Sequence, residues 1–251
     1  YRSSLKKEGK ITYLSGKQEM INLGVFNNID AAMMIHSQAA CPERRLFIGG
    51  GGLGFTAKKI KFSGKEAHAG GAPYDGINAL NAASAALMMI GLQRETFRDE
   101  DKIRVHSIIT KGGDSVNTVP ADVRMELYVR GVSEDVIKDA ERKVDAAING
   151  AAYGIGASAE ITTLGSYAPL IQNRELSRVF ADNAEGFADE ICFGVDMIGS
   201  TDVGDLCRVI PAIQPTIGGF CGAAHSQDFH AVDKYFTHIV PAKIMINTVI
   251  D

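Results

Sequence analysis

His68 lies in the stretch GKEAHAGGAP (residues 64–73), among glycines and alanines too small to bury an imidazole. A ring left open in this way can donate, accept or ligate near neutral pH; in a plain turn it would only face water. His36 closes an apolar run, IDAAMMI, at the carboxyl end of an expected parallel strand, where open α/β sheets place their ligands. His225 lies within the loose loop GGFCGAAHSQDFH (218–230), whose small residues leave its ring accessible. Neutral imidazoles at strand ends are common zinc ligands. Two histidines so far apart in sequence leave the metal reading and a structural reading both open. His106, inside an alternating strand, and His238, near the start of the last helix, are read as structural.

A second constellation is GGDSVNTVPADVRMELYVR (112–130). Asn117 stands in a turn ahead of Pro120, and Arg130 stands at the end of the following strand. An amide and a guanidinium so placed can hold a carbonyl oxygen and a carboxylate, because arginine binds carboxylates bidentately. Taken singly, a turn-forming asparagine and a solvated arginine explain the same residues.

These residues need elements to position them, and the middle of the chain shows those elements most clearly. Residues 55–62 alternate as a strand, and residues 77–93 are rich in alanine and leucine, which predicts a helix of four turns or more. A strand over 102–110 ends at Gly112-Gly113. Val123, Met125, Leu127 and Val129 alternate with polar partners, the pattern of a strand with one buried face. Ser133 caps a helix running to about Tyr153, ended by Gly154 and Gly156, and 159–164 is a fourth strand. Strand, helix, strand, strand, helix, strand is the ferredoxin-like order, in which two helices cover one face of an antiparallel sheet. The other face and the edges are left for a partner, so self-association is expected.

The flanks read as one α/β layer into which this unit is inserted. A buried parallel strand ends at His36, a helix spans 176–188, a short strand closes over 215–218, and a last helix starts near Pro241. The expected division is a catalytic α/β domain over 1–53 and 168–251, and an inserted ferredoxin-like domain over 54–167. Length and a 45 % hydrophobic composition allow a substantial core. A net charge of -4 gives no basic footprint for nucleic acid. No apolar run approaches the roughly 20 residues of a membrane span, and no secretory leader is seen, so a cytoplasmic protein is expected. Four scattered cysteines without a CxxC pair argue against a disulfide framework. Tyr1 is not an initiator methionine, and a longer protein is expected.

Together, GKEAHAGGAP, the NTVP run with its downstream Arg130, and the ferredoxin-like insert resemble the lid of the dinuclear-zinc amidohydrolases and metallopeptidases. That family includes aminoacylase, carboxypeptidase G, succinyl-diaminopimelate desuccinylase and β-alanine synthase. FNNIDAAMMIH, GSTDVGDL and AAHSQDFH extend the resemblance to the catalytic domain and toward the aminobenzoyl-glutamate hydrolase branch. The resemblance implies a partial zinc-hydrolase layer bearing a lid and dimerisation domain. It implies two zinc ions, with manganese or cobalt as substitutes, and His36 and His225 among their ligands. His68 of a partner subunit would donate to the oxyanion, Asn117 would hold the scissile carbonyl or its neighbour, and Arg130 would grip a free carboxylate. Asp202 and Ser200 match a stretch near the metal without an assigned role.

The implied activity is hydrolysis of an N-acyl or aminoacyl amino-acid amide by a homodimer. One departure stands out: the family's earlier histidine or cysteine ligand, bridging aspartate and Glu-Glu pair have no counterpart before His36, where Glu8 lies in a basic stretch. Either these groups lie upstream of Tyr1, or the protein is a catalytically incomplete dimeric binding or assembly protein of the same fold. An amino-acid-sensing domain is a weaker third reading, because it gives His36 and His225 no task.

Overall fold

The structure, a computed structural model, describes residues 2–251, with side chains from Ser4 onward. The chain divides into two units, Tyr1–Gly52 with Pro169–Asp251, and Leu53–Ala168. The first unit opens with helices α1 (Arg2–Lys7) and α2 (Gly16–Asn22), then short strands β1 (Ala32–Met33), β2 (His36–Ser37) and β3 (Arg45–Ile48).

The second unit runs β4 (Gly54–Ser63), α3 (Ala79–Leu92), β5 (Arg104–Lys111), β6 (Asp122–Gly131), α4 (Glu134–Ile155) and β7 (Ser158–Tyr167). Its sheet is antiparallel throughout, in the order β5-β6-β4-β7, the ferredoxin-like arrangement expected from the pattern. Asn78 starts α3 by accepting the N–H groups of Leu80 and Asn81, and Ser133 starts α4 by accepting that of Val136. Gly156, with φ +78°, ends α4 in the left-handed conformation. Gly154 stays helical, so α4 runs slightly further than the glycine pair suggested.

Ala79, Ala82, Ala83 and Ala86 of α3 and Ala140, Ala147 and Ala151 of α4 are all buried, and small side chains let the two helices pack closely over the sheet. Beneath them lie Ile60, Phe62, Val123, Met125, Leu127 and Val129. Lys58 points to this covered face, 4 % exposed, and donates to Asp145 at 2.7 and 2.8 Å and to Glu141 at 3.1 Å. The opposite face bears Phe55, His106, Tyr128 and Arg130, and neither α3 nor α4 covers it.

The first unit resumes with α5 (Arg174–Asp182), β8 (Glu190–Phe193), α6 (Val203–Leu206), β9 (Ala212–Ile213), β10 (Thr216–Ile217), β11 (Phe220–Cys221), β12 (His230–Ala231) and α7 (Val240–Ile250). A mixed sheet has the order β2-β10-β3-β8, β1 pairs with β9, and β11 with β12 forms a hairpin. The continuous buried strand expected before His36 is instead two fragments. Both are parallel to their partners, as expected, but they are only partly covered. The reason is position: β2 is a sheet edge and β1 has one neighbour, whereas a fully buried parallel strand needs cover on both faces. Helix α5 stops at Asp182, short of the expected 188. His238 is held locally, its Nδ1 within 2.7 Å of the Thr237 hydroxyl and 3.1 Å of the Lys234 carbonyl.

All four cysteines are unpaired, and burial pushes the Cys207 thiol up to about 11, which keeps it protonated and inert. Among the described residues no helix is long and apolar enough to cross a membrane.

Asp202 joins the start of the first unit to α6. Its carboxylate accepts from the Ser15 hydroxyl at 2.7 Å, the Lys17 backbone N–H at 3.1 Å and the Lys17 ammonium at 2.7 Å. Burial alone would raise its pKa, but these donors outweigh burial and hold it below the usual aspartate value. The folded state therefore gains stability from this group above the ordinary aspartate range, and loses it as pH falls through the depressed value. Asp202→Asn should cost about 1–2 kcal/mol at pH 7 and flatten the acid limb of stability. Urea unfolding from pH 7 down to pH 2.5 checks this; superimposable acid limbs for variant and wild type would refute it.

Candidate functional site

After β4 the chain makes a loop over residues 64–78 that zips onto residues 117–121. Gly64 N–H donates to Ala121 O, Ala69 N–H to Asn117 O, Val119 N–H to Ala67 O and Ala79 N–H to Pro120 O, all at 2.8–2.9 Å. His68 and Thr118 face each other across a single bridge. His68 and Asn117, both exposed, are thus brought onto neighbouring backbone by hydrogen bonds the sequence could not specify.

The ring of His68 is set by its glycines. Nδ1 accepts the backbone N–H of Gly71 at 2.8 Å and of Gly70 at 3.2 Å. A neutral imidazole whose Nδ1 accepts carries its proton on Nε2, so His68 presents an Nε2–H donor to solvent. A Cβ at Gly71 would lie 3.3 Å from that same Nδ1 and crowd the ring.

The 112–121 loop bearing Asn117 is clamped at its base. Asp122 accepts from Arg124 at 2.9 Å and from Lys111 at 3.1 Å, and Lys111 also meets Asp114 at 3.1 Å. These bonds, first from Arg124 and then from Lys111, lower the Asp122 carboxyl to about 2. A cavity of about 600 Å³ lies between this loop and residues 69–80.

Arg130 is elsewhere. It lies eight residues beyond Asp122 on β6, so at strand rise it is about 26 Å from the end that carries Asn117. It sits in an aromatic cluster, its Cζ 5.5 Å from the Phe55 centroid and 5.7 Å from that of Tyr128. Phe55 stacks on Tyr128 at 4.9 Å and meets Tyr167 edge-on at 4.7 Å. Arg130 Nε donates to His106 Nε2 at 3.2 Å. His106, assigned a purely structural part from its strand position, therefore touches a candidate binding residue. Its only sequence signal was alternation, which places 104 and 106, or 128 and 130, on one face without saying which residues meet.

In the other unit, His36 lies opposite Thr216, and its backbone N–H donates to Pro215 O at 2.9 Å. Its Nδ1 is 2.9 Å from the Ser37 carbonyl, an arrangement that puts the proton on Nδ1 and leaves Nε2 a lone pair. His225 occupies the tip of the β11–β12 hairpin at φ +62°, a conformation costly for a residue with a side chain. The two segments meet where Ala40 N–H donates to Gly222 O at 2.9 Å, four residues past His36 and three before His225. Among the described residues no group of three or more histidine, cysteine, aspartate or glutamate side chains could hold a metal. His36 and His225 have the donor chemistry of metal ligands but do not make a complete site.

Residues 53–155 match the M20 peptidase dimerisation domain. The chain is 27 % identical over 209 residues to the Xaa-Arg dipeptidase of Mus musculus, covering 80 % of this chain and 46 % of the relative. It is 31 % identical over 144 residues to a p-aminobenzoyl-glutamate hydrolase polypeptide of Escherichia coli, covering 56 % of this chain and 33 % of that one. Its fold is similar to a Bacillus subtilis dinuclear metal binding peptidase from the M20 family, with a TM-score of 0.69 at 18 % identity, over 94 % of this chain and 61 % of the other. The chain spans about half the length, or less, of the curated relatives it matches.

Proposed function

From the premise that this chain belongs to the M20 family of peptidases and amidohydrolases, we propose that it is part of a metal-dependent hydrolase. The bond cleaved is the amide of an N-acyl or aminoacyl amino acid, of the aminobenzoyl-glutamate or dipeptide kind. Leu53–Ala168 serves as lid and dimerisation domain, and the other unit as part of the catalytic layer. The observation that carries this reading is the outward Nε2–H of His68, fixed by two backbone donors to its other nitrogen. Such a donor suits a carbonyl oxygen that becomes negative as its carbon is attacked.

His36 and His225 would supply imidazole ligands to zinc, two ions in all, with manganese or cobalt as substitutes. When bound, the metal provides an acidic water near neutral pH. Two imidazoles fall short of the roughly four protein ligands a zinc site uses, so this reading takes the remaining ligands and the general base from polypeptide outside these 251 residues. His68 stabilises the oxyanion, Asn117 orients the carbonyl, and Arg130 binds the product-side carboxylate bidentately.

Because Arg130 lies so far along β6 from His68 and Asn117, no small amide can touch all three within one copy. Two copies must share each site, His68 and Asn117 from one and Arg130 from the other. The β5 edge suits that association: Ile108 is 64 % exposed, and Met88 and Leu92 of α3 are 72 % and 74 % exposed. The β7 edge is instead lined by exposed Ser158, Glu160, Thr162 and Thr163, a polar edge that discourages pairing. Met88→Glu with Leu92→Glu should convert a dimer to a monomer in light scattering. An unchanged mass would remove the β5 edge from the proposal.

The test of function is hydrolysis of a panel of N-acyl amino acids by the full-length protein, with a chelator control and Arg130→Ala. Activity should vanish with chelator and return with zinc. Arg130→Ala should raise KM about tenfold or more with kcat little changed, as loss of uniform binding does. Kinetics unchanged in both arms would discard the reading. The alternative is a catalytically incomplete dimeric small-molecule-binding or assembly protein of the same fold. Ligand binding without turnover in the full-length protein would establish it.

A further inference from the structure

We propose that His106 is the positioning residue for Arg130: its Nε2 accepts the Arg130 Nε–H and so aims the Nη end of the guanidinium at a substrate carboxylate. The inference rests on the reading that Arg130 takes that carboxylate. The ladder explains the meeting. Tyr128 lies directly opposite His106 and Arg104 directly opposite Arg130, so all four side chains share the open face of the sheet. The His106 ring is tilted against Tyr128 at 5.5 Å between centroids.

Arginine on an open sheet gives up rotamer freedom when a ligand fixes it. Here Nε is committed to His106 at 3.2 Å, and the guanidinium lies near two aromatic rings that stack on each other. A guanidinium held this way is pre-set for a ligand, and with Nε engaged a carboxylate meets it at the Nη end. Acceptance at Nε2 requires a neutral imidazole with its proton on Nδ1. An imidazolium would replace the hydrogen bond with two facing cations.

The surroundings oppose that imidazolium. Arg104 flanks His106 on its own strand, and Arg130 and Tyr128 face it from β6, with Glu126 further along, opposite Ile108. The cavity that His106 also lines, about 700 Å³, adds Arg94, Arg98 and Asp99. Burial first, and then the Arg130 charge, lower the His106 pKa from its ordinary value. The grip on carboxylate is therefore intact at neutral pH and fails on the acid side, as the imidazolium forms.

The test measures binding of N-acetyl-glutamate by calorimetry to the chelator-treated full-length protein from pH 5 to 8, beside an NMR titration of the His106 ring. His106→Phe, which keeps an aromatic ring but has no acceptor, should weaken binding about tenfold. His106→Gln, which keeps an acceptor that does not titrate, should stay within about threefold of wild type and lose the acid-side weakening. A merely structural role would not move that pH profile. In Arg130→Gln the His106 pKa should rise toward the ordinary histidine value.

If Arg130→Ala weakens binding and His106→Phe does not, positioning by His106 is overturned while the carboxylate role of Arg130 stands. If wild type and Arg130→Ala bind equally, or neither binds, the carboxylate reading falls. A His106 titration unmoved by Arg130→Gln overturns the pairing whatever the binding result.

Discussion

His68→Ala should lower kcat about 100- to 1,000-fold in the full-length protein, the usual loss when one oxyanion donor is removed. KM should change little, because the donor meets a charge that exists only as the carbonyl carbon is attacked. His68→Gln returns an N–H donor near the same place and should recover part of the rate. The stronger check mixes variants. If each site takes His68 from one copy and Arg130 from the other, a hybrid of His68→Ala and Arg130→Ala chains has one site with both residues intact. Measured with substrate well below KM, where both variants are impaired, activity should then rise on mixing above the average of the two separate proteins. If both residues served a site within a single copy, every site in the hybrid would be impaired and mixing would change nothing. That result would refute the shared site and the strand-length argument behind it.

Lys58→Ala should cost about 2–3 kcal/mol of stability in the ferredoxin-like unit, because the ammonium is buried while its partners Glu141 and Asp145 keep 19 % and 34 % of their side-chain exposure. Lys58 lies within salt-bridge distance of both Asp145 and Glu141, at 2.7 and 3.1 Å. Removing it leaves two carboxylates of α4 facing the covered side of the sheet, together with the space its four-carbon stem filled. The loss comes from stranding those charges rather than from a large net gain in the native pair. Replacing the cluster together, Lys58→Met with Glu141→Leu and Asp145→Leu, should therefore recover most of the stability. Denaturant unfolding of the single and triple variants checks this. A single variant within about 0.5 kcal/mol of wild type, the range of ordinary surface substitutions, would show that the cluster is solvated and contributes little.

The ferredoxin-like unit was legible because each of its elements carries its own local signal. Residues 55–62 and 122–130 alternate over eight residues or more, Ser133 stands at the head of an amphipathic run, and Gly156 takes the positive φ that ends it. The other unit was less legible for a physical reason. Strands such as Ala32–Met33, His36–Ser37 and Thr216–Ile217 hold two residues each, too few to show a period, and their parallel partners lie far along the chain.

At the candidate site, local composition alone picked out His68, because the small residues around it are read directly from GKEAHAGGAP. The amide pair that turns its Nε2–H outward comes from the fold of that loop. Register decided the rest. Alternation says that His106 and Arg130 each face one side of a strand, but which residues meet across a ladder depends on pairing, and a one-residue slip would send either ring or guanidinium to the opposite face. Only the tertiary structure set His106 against Arg130 and put Arg130 at the far end of the sheet from Asn117, because strand order and register come from burying one face of the whole sheet at once, which no single segment encodes.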